Sequence, residues 1–488
     1  MRYIVSGEIM SFSNEELTYI SSCIQNWIGS NKRRMQVIGE NYYLGIQDIL
    51  AKERFVIDPE THKKVTMENV PNNRVVNNLY SFCVDQKAAY IFSKPFKINT
   101  PNETYANELG KIFNPKFRRT IKSLGKNTFN CGLGWLYPMV DGDNLVFKPI
   151  SATEVLPFWK DADHTELEYA VRLYTVLDPA KDFKTKDKVE IFTRDGVEYY
   201  IWDGAKLFPE DKPKASYMTI SYVNEYSQRI EVGMNWDRIP LIPFRYNSQE
   251  TPLISRVKSL QDGINSMMSI FQDNLSEDMR STVLVIQNYD GEDVGNFRRN
   301  LAATGVVKVS SVDGVNGGVD ALRIEVDSNN YEVVLKELKR ALFNGARCFD
   351  PSDELMSSRP NEINLEALYF TINLDANEME QEFLASFEDV KWFIDTYLKN
   401  KNVGDFSNVP MDLKFARDAI IDESAKIDSF VKAFSFIPME IAYKNMPWIE
   451  DVNKALDEYK KEEAEREAKA MIDGMEGLGN GSNGNSKE

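Results

Sequence analysis

Two histidines, His62 and His164, are the first residues to consider for catalysis or metal binding, and each stands alone among charged residues. A zinc site combines several histidine, cysteine or carboxylate ligands, and a Ser-His-Asp triad places its histidine between a nucleophile and a carboxylate. Neither pattern surrounds these positions. We therefore predict that both are solvated loop histidines, that the chain binds no metal, and that no histidine-dependent active site exists.

One segment comes close to a phosphate-binding loop. Residues 123–129 are SLGKNTF, but the motif requires a glycine where Thr120 stands and a serine or threonine where Asn127 stands. Without that glycine the backbone cannot wrap around a phosphate. Gly132 and Gly134 supply only half of a dinucleotide fingerprint, so no nucleotide cofactor is predicted.

Acidic residues are abundant, but no pair of them stands out as catalytic. The chain has 75 Asp and Glu against 58 Lys and Arg, which gives a formal net charge of −17. Residues 140–147, VDGDNLVF, place an acidic turn between two apolar runs, which favours a hairpin over a calcium loop. The sequence thus predicts no catalytic residue and no cofactor. A hydrolase that uses Asp or Glu alone is the enzyme alternative.

Composition limits the class of protein further. The 488 residues suggest about three domains, and 42% hydrophobic residues suffice for packed cores. A protein that grips nucleic acid tightly clusters Lys and Arg, so the acidic balance favours one that lets nucleic acid pass without sticking. Four widely spaced cysteines predict buried free thiols in a reducing compartment. We expect a soluble, cytoplasmic protein, because no signal region and no run of about 18 apolar residues occur.

The first half of the chain mixes helical and strand patterns. Residues 13–55 look helical, and a mixed region follows to about 250. Short strands with turn signals about every ten residues predict an antiparallel sheet domain. The predicted strands are LYPMV, NLVFKPI, YAVRLYTV, KVEIFTR, EYYIWD and RIPLIPF.

An Asn-rich stretch at 71–98 predicts one amphipathic helix, with Pro71 at its entry and Pro95 forcing its exit. Apolar residues recur there at helical spacing: Val76, Leu79, Cys83, Tyr90 and Ile91. The other side of this helix would be polar: Asn73, Asn77, Asn78 and Gln86.

In the second half, two long helices at 253–280 and 329–349 bracket a small β-α-β-β unit. Its predicted elements are strands at 282–287, 306–311 and 320–326 and a helix at 292–305. After the second long helix come a polar loop at 350–363, a helix from about 364 to 400, a strand within 408–419, and further helices. The Gly/Asn/Ser-rich end at 474–488 should be disordered. The fold class is therefore α+β.

Several short motifs follow one another in an informative order. They are Asn72-Asn73, Val84-Asp85-Gln86-Lys87, Tyr90-Ile91, Lys94-Pro95, Ile239-Pro240-Leu241-Ile242-Pro243-Phe244, and Leu260-Gln261-Asp262 in the first long helix. In this order the chain resembles the portal proteins of tailed bacteriophages, of the type found in long-tailed phages of Gram-positive bacteria. The resemblance covers nearly the whole chain. These are packing and turn motifs, so their specificity lies in their joint order.

The resemblance implies a portal-protein fold with a wing, a two-helix stem, a small β-α-β-β clip, a tunnel loop and a helical crown. The implied domains are the wing at 1–252, stem helix 1 at 253–280, the clip at 281–328, stem helix 2 at 329–349, the tunnel loop at 350–363, a long wing helix at 364–402, the crown at 403–473 and the disordered tail at 474–488.

The resemblance also implies a ring of about twelve copies at one capsid vertex of the virion, assembled in the host cytoplasm. The ring would be the conduit for DNA packaging and ejection and the docking site for the terminase motor and the head-tail connector. Implied partners are further copies of the chain, the large terminase subunit, a head-tail adaptor, the major capsid and scaffolding proteins, and double-stranded DNA that passes without sequence specificity; no membrane is implied. The alternative is another phage structural ring protein, such as a head-tail adaptor or baseplate component.

Three sets of residues become site candidates within this fold. The DNA-facing residues of the tunnel loop would be Ser352, Asp353, Glu354, Ser357, Ser358, Arg359 and Asn361, unless the loop is an ordinary helix connection. The channel-facing charges of the second stem helix would be Lys336, Lys339 and Arg340, unless they are solvated charges that pair with neighbouring subunits. The terminase-facing residues of the clip would be Asp290, Glu292, Asp293, Arg298 and Arg299, whose mixed charge suits a transient protein interface.

Overall fold

The computed structural model describes residues 12–58, 60–67, 70–178, 184–223, 229–278, 283–287, 318–322, 328–351, 362–417, 455–466 and 468. The chain divides into two compact units, one made of 1–358 and 367–418, the other of 359–366 and 419–488. The described part mixes helices and antiparallel strands, consistent with the predicted α+β class. In the second unit, residues 455–466 are helical.

Helices supply most of the framework of the first unit. They are α1 Asn14–Ile28, α2 Asn31–Tyr43, α3 Leu79–Phe92, α4 Glu103–Ile112, α5 Pro115–Cys131, α6 Ile254–Asp278, α7 Ser328–Ala346 and α8 Glu362–Asn400, whose first residues belong to the second unit. Short 3-10 helices occur at Asp48–Ala51 and Ala152–Glu154. Side-chain caps explain several starts: Ser13 forms a capping box with Glu16 before α1, and Asn114 accepts two backbone N–H groups before α5.

Sixteen strands are described, all paired antiparallel. They are β1 Phe55–Ile57, β2 Lys64–Thr66, β3 Lys97–Asn99, β4 Leu133–Asp141, β5 Asn144–Ser151, β6 Val155–Trp159, β7 Leu167–Asp178, β8 Lys184–Thr193, β9 Gly196–Trp202, β10 Leu207–Ala215, β11 Met218–Val223, β12 Arg229–Met234, β13 Ile242–Arg245, β14 Val283–Gln287, β15 Gly318–Leu322 and β16 Asp412–Lys414.

The predicted sheet domain is divided among several sheets. Five strands are ordered β10-β9-β8-β7-β6, and three strands are ordered β13-β4-β5. Helix α1 buries Ile20 and Ile24 against Val171, Val189 and Tyr200 of the larger sheet. Apolar residues alternate along these strands, which explains why one sheet face forms a core.

Two segments considered in the sequence, VDGDNLVF and SLGKNTF, form a hairpin turn and part of a helix. The acidic turn of VDGDNLVF is the hairpin between β4 and β5, with Gly142 at φ 58° and Asp141 opposite Asn144. SLGKNTF lies inside helix α5, which ends at Gly132 with φ 77°. A Cβ at Gly132 would approach the carbonyl oxygen of Glu250 to 2.2 Å, so this helix end requires glycine.

The cysteine and membrane predictions concern burial and hydropathy. All four cysteines are free thiols, and Cys83, Cys131 and Cys348 are buried as predicted, while Cys23 is half-buried. Among the described residues no helix is both long enough and apolar enough to cross a membrane.

The β-α-β-β unit is described only in part. Strand β14 matches the predicted strand at 282–287, and its antiparallel partner is β15 at residues 318–322. The sequence also predicts that 320–326 pairs with 306–311, and this pairing stays a prediction. The segment at 306–311 and the predicted helix at 292–305 lie outside the described residues, as do the five clip candidates from Asp290 to Arg299.

Candidate functional site

Helices α6 and α7, at the positions of the two predicted long helices, pack against each other along small residues. Leu338 lies 3.8 Å from where a Cβ of Gly263 would stand, and Val257 lies 3.4 Å from that of Gly345. Farther along, the rings of Phe271 and Tyr331 are 4.9 Å apart. Glycines at such contacts allow close approach of the two backbones, so the pair is tightly joined.

A ladder of polar side chains covers another side of α6. Three backbone N–H groups of an extended segment, residues 73–78, and the N–H of Tyr80 in the first turn of α3 each donate to one α6 side chain. The bonds are Asn73 N to Asp273 Oδ1 at 2.6 Å, Val75 N to Ser269 Oγ at 2.9 Å, Asn77 N to Asn265 Oδ1 at 2.9 Å and Tyr80 N to Gln261 Oε1 at 3.0 Å. We call these four α6 residues the polar ladder. All four are at most 3% exposed.

The spacing of the polar ladder follows from backbone geometry. Four residues of an α-helix rise about 6 Å, and two residues of an extended chain span about 6.6 Å. Every fourth side chain from Asp273 back to Asn265 therefore meets every second N–H from Asn73 to Asn77, and Gln261 meets the N–H of Tyr80, where α3 has already begun. Because buried N–H groups need acceptors, an apolar residue at any of these α6 positions would leave a donor unpaired.

The Asn-rich helix predicted from Pro71 is therefore wrong in its first part. Helix α3 begins only at Leu79, and the side chain of Asn78 caps it by accepting the Ser81 N–H. Val76 and Asn77 belong to the extended segment, since N–H groups of that segment bond to α6 instead of to a helical turn. The predicted exit is correct, because α3 ends at Phe92, shortly before Pro95.

A buried ion cluster lies where α3, α6, α7 and α8 meet. Asp375 of α8 accepts from Lys87 Nζ at 2.6 Å, from Arg256 Nη1 at 2.9 Å and from Arg347 Nη1 at 3.0 Å, and the Tyr246 hydroxyl also donates to it. Lys87 and Asp375 are each 2% exposed. We call these five residues the Asp375 cluster. It joins the start of α6 and the end of α7 to helices α3 and α8.

The charge of Asp375 is strongly stabilised. Burial opposes its ionisation, but Lys87, Tyr246 and Arg256 outweigh burial and lower the pKa of the carboxyl to about 2. The cluster therefore holds one carboxylate among three cations, of which two guanidinium groups reach partial solvent.

The residues that carry the portal-like motif converge on this junction. Val84 is fully buried, Lys87 belongs to the Asp375 cluster, and Gln86 holds the backbone of Phe349 through both its amide atoms, at 3.1 Å each. Lys87 also donates to the carbonyl oxygen of Arg347, which stands at φ 53° directly after α7. Helix α3 thus fixes the chain just before the segment at 352–361.

The basic residues predicted on the second long helix occupy two environments. Lys336 and Lys339 line a cavity of about 380 Å³ between α7 and α3, together with Phe82 and Phe343. Arg340 is exposed and does not line that cavity. The seven tunnel-loop candidates, from Ser352 to Asn361, lie outside the described residues.

Sequence reasoning missed the polar ladder and most of the Asp375 cluster. Lys87 carried a signal, because a lysine in the middle of an apolar helix needs a buried partner. A second signal was the four-residue spacing of polar residues along α6, because residues four apart lie on one side of a helix. These residues are Gln261, Asn265, Ser269 and Asp273.

His164 corrects a further prediction. It is half-buried, stacks on Trp159 with ring centres 4.9 Å apart, and its Nδ1 lies 3.0 Å from Glu250 Oε1. Glu250 also pairs with Lys32 and Arg245. His164 is therefore part of an ion-pair group that ties the sheets together, whereas His62 is exposed as predicted. Among the residues that the structure describes, no group of three or more His, Cys, Asp or Glu could hold a metal ion.

The sequence of this chain matches a known protein family. The family described as "Phage portal protein, SPP1 Gp6-like" matches residues 30–469. The portal protein of Bacillus phage SPP1 is 27% identical over 454 residues, which cover 91% of this chain and 86% of the relative. The portal protein of Clostridium phage phiCD119 is 25% identical over 453 residues, which cover 90% of this chain and 95% of the relative. The chain therefore belongs to the phage portal protein family, whose members form the ring that serves the packaging and ejection of phage DNA.

Proposed function

We propose that about twelve copies of this chain close a ring in which α6 and α7 of every copy surround a central DNA channel. In this proposal the stem is made of residues 253–280, which contain α6, and residues 329–349, which contain most of α7. The clip is 281–328, the tunnel loop 350–363 and the crown 403–473. Residues 1–252 and the helix at 364–402 form the wing, and 474–488 the tail.

The observation that supports this proposal is that α6 and α7 are anchored to the rest of the subunit by two sets of buried polar contacts. The polar ladder fixes α6 to the segment after Pro71, and the Asp375 cluster fixes the ends of both helices to α3 and α8. A pair anchored this firmly at its root can surround moving DNA without being pulled from its subunit. In family terms the anchor is the junction of stem and wing.

The charge of the chain supports passage of DNA rather than tight binding. Each copy has a formal net charge of −17, so a closed ring is strongly acidic and repels the phosphates of a duplex. We propose that Arg340 faces the channel, and that Lys336 and Lys339 extend this positive ring from the edge of the cavity beside Phe82. A narrow basic ring within an acidic wall would centre the duplex.

The remaining contacts are proposed from the family. The tunnel-loop residues from Ser352 to Asn361 would touch DNA without sequence specificity, and the mixed charges from Asp290 to Arg299 would meet the large terminase subunit. A head-tail adaptor, the major capsid protein and scaffolding protein would be the other partners, at one vertex of the virion after assembly in the host cytoplasm. The portal family is structural, and we propose that this chain has no catalytic activity or cofactor of its own.

Negative-stain microscopy of the purified full-length chain tests the proposal. We expect class averages that show closed rings of about twelve subunits with an open central hole. Compact particles without a channel would contradict the conduit, and open filaments would contradict ring closure.

A further inference from the structure

Exposed apolar side chains are concentrated in one short part of the chain. Of the 20 large hydrophobic residues that are exposed in the described structure, eight lie between residues 44 and 67. They are Leu44, Ile46, Leu50, Phe55, Val56, Ile57, Val65 and Met67. We call this set the hairpin patch. A cluster of this kind on a folded protein marks a surface that another protein covers.

The hairpin of β1 and β2 cannot be explained by the fold of one copy. Its two strands form a sheet of their own, and all six strand residues are exposed, with Phe55 at 46% and Ile57 at 58%. A two-stranded sheet without a covering layer is marginally stable in water. Its apolar side chains lie on both faces and are exposed on both.

The base of this hairpin is fixed on one side of α6. Lys52 binds Asp273 of the polar ladder at 2.6 Å, and the Asn72 side chain donates to the carbonyl oxygen of Lys52 at 3.1 Å. At 3.6 residues per turn, the ladder positions and the α7-facing positions Gly263 and Phe271 lie about half a turn apart on α6. The hairpin base and α7 are therefore on opposite sides of the same helix.

Helix α7 carries the second unpartnered surface. Val333 is 62% exposed and Val334 is 46% exposed, Glu337 is exposed on the same face of the helix, and Glu332 is exposed at the edge of that face, where it also lines the cavity beside Phe82. We call these four residues the α7 patch. A head-to-tail contact joins two different patches of the same chain, and such contacts form a ring when the rotation between neighbouring copies closes.

Charge favours the same pairing. On its β2 side the hairpin presents Lys63 and Lys64, both exposed, while the exposed acidic residues Glu53 and Glu60 stand before β1 and in the turn; the α7 patch presents two exposed glutamates that could pair with the lysines. Among the ion pairs between described residues, none uses Lys63, Lys64, Glu332 or Glu337. Complementary charges around an apolar centre set the register of an interface.

We propose that the hairpin patch of one copy docks on the α7 patch of the next copy, and that this contact joins neighbouring subunits of the ring. The proposal rests on the proposed ring function. It identifies the occupant of the hairpin patch as a second copy of this chain.

The first experiment places a charge in the hairpin patch. Ile57→Asp in the full-length chain should raise the protein concentration at which half the chains are in rings at least tenfold, as measured by mass photometry. Leu177→Asp is the matched control, because Leu177 is a 63% exposed strand residue outside both patches. Circular dichroism should show the same fold for both variants. Rings of I57D as stable as those of the wild type would overturn the proposed contact.

The second experiment exchanges the charges. K63E/K64E and E332K/E337K should each weaken the ring, and the four substitutions together should restore it to within a fewfold of the wild type. Failure of the combined variant to recover would overturn the assignment of the α7 patch. A wild-type chain that forms no ring would instead overturn the proposed function, so the two failures are distinguishable.

Discussion

Helices α6 and α7 are partners in one pair, yet their surroundings differ sharply. Helix α6 has α7 on one side and the polar ladder on the other, and its ladder residues are at most 3% exposed. Helix α7 is buried mainly near its end, at Leu342, Phe343 and Ala346, while Val333 is 62% exposed. Helix α6 is therefore covered by its own subunit on two sides, although Ile270 and Leu275 are exposed, whereas α7 is buried mainly near its end and exposed along the rest of its length.

This difference indicates a division of labour. The ladder residues of α6 already have hydrogen-bond partners within the same chain. They therefore fix the position of α6 against the segment after Pro71 and are not free to bind a ligand. The charges of α7 remain accessible to whatever passes or docks. An assembly that moves DNA through its centre needs both a rigid support and an accessible surface. Three substitutions, two of them each compared with a second variant, test whether the two helices are held as differently as the structure indicates.

Asp375→Asn should have the largest effect, because it disrupts the root that both helices share. The substitution leaves Lys87 buried without its carboxylate, and removing one partner of a buried ion pair costs about 3–5 kcal/mol. We expect a loss of that size in the free energy of unfolding, measured by urea denaturation of the full chain.

Lys87→Met is the matched variant for this cluster. Asp375 keeps both arginines in that variant, and methionine fills the space of the lysine stem, so the loss should be clearly smaller than for D375N. Equal losses for the two variants would show that packing at the site, rather than an uncompensated charge, determines stability.

Ser269→Ala should have an intermediate effect on stability, confined to the contact between α6 and the segment at 73–78. It removes the acceptor for the Val75 N–H in a fully buried position, and an unsatisfied buried donor costs about 1–3 kcal/mol. Amide hydrogen exchange followed by mass spectrometry should show faster exchange in residues 73–78 and little change in α7. Faster exchange along α7 as well would mean that the ladder supports both helices.

Sequence patterns predicted what depends on local periodicity. The two long helices were found within a few residues of their ends, because Ile254, Val257 and Ile264 repeat at helical spacing. Most strands were found for the same reason. The partition of the strands into separate sheets was missed, since it depends on which distant strands pair.

The errors in the site have a physical cause as well. The segment after Pro71 looked helical because Asn77 and Asn78 fitted the polar side of a helix. Its conformation is set instead by acceptors on α6 almost 200 residues away, as in the bond from Asn73 to Asp273. A sequence window contains the donors but not their partners. Lys87 and Asp375, 288 residues apart, were unpredictable as a pair for the same reason.

Arg340→Ala should have the smallest effect on stability and the most specific effect on function. Arg340 is exposed, and none of the ion pairs among the described residues involves it, so the free energy of unfolding should change by about 0.5 kcal/mol or less. Leu342→Ala, two positions along the same helix at a fully buried residue, should cost about 2–5 kcal/mol. If Arg340 faces the channel, R340A rings should assemble normally and package less DNA in a defined packaging assay. Normal packaging by intact R340A rings would show that Arg340 does not face the channel. A large loss in the free energy of unfolding would show that Arg340 is packed within the subunit, as the ladder residues of α6 are.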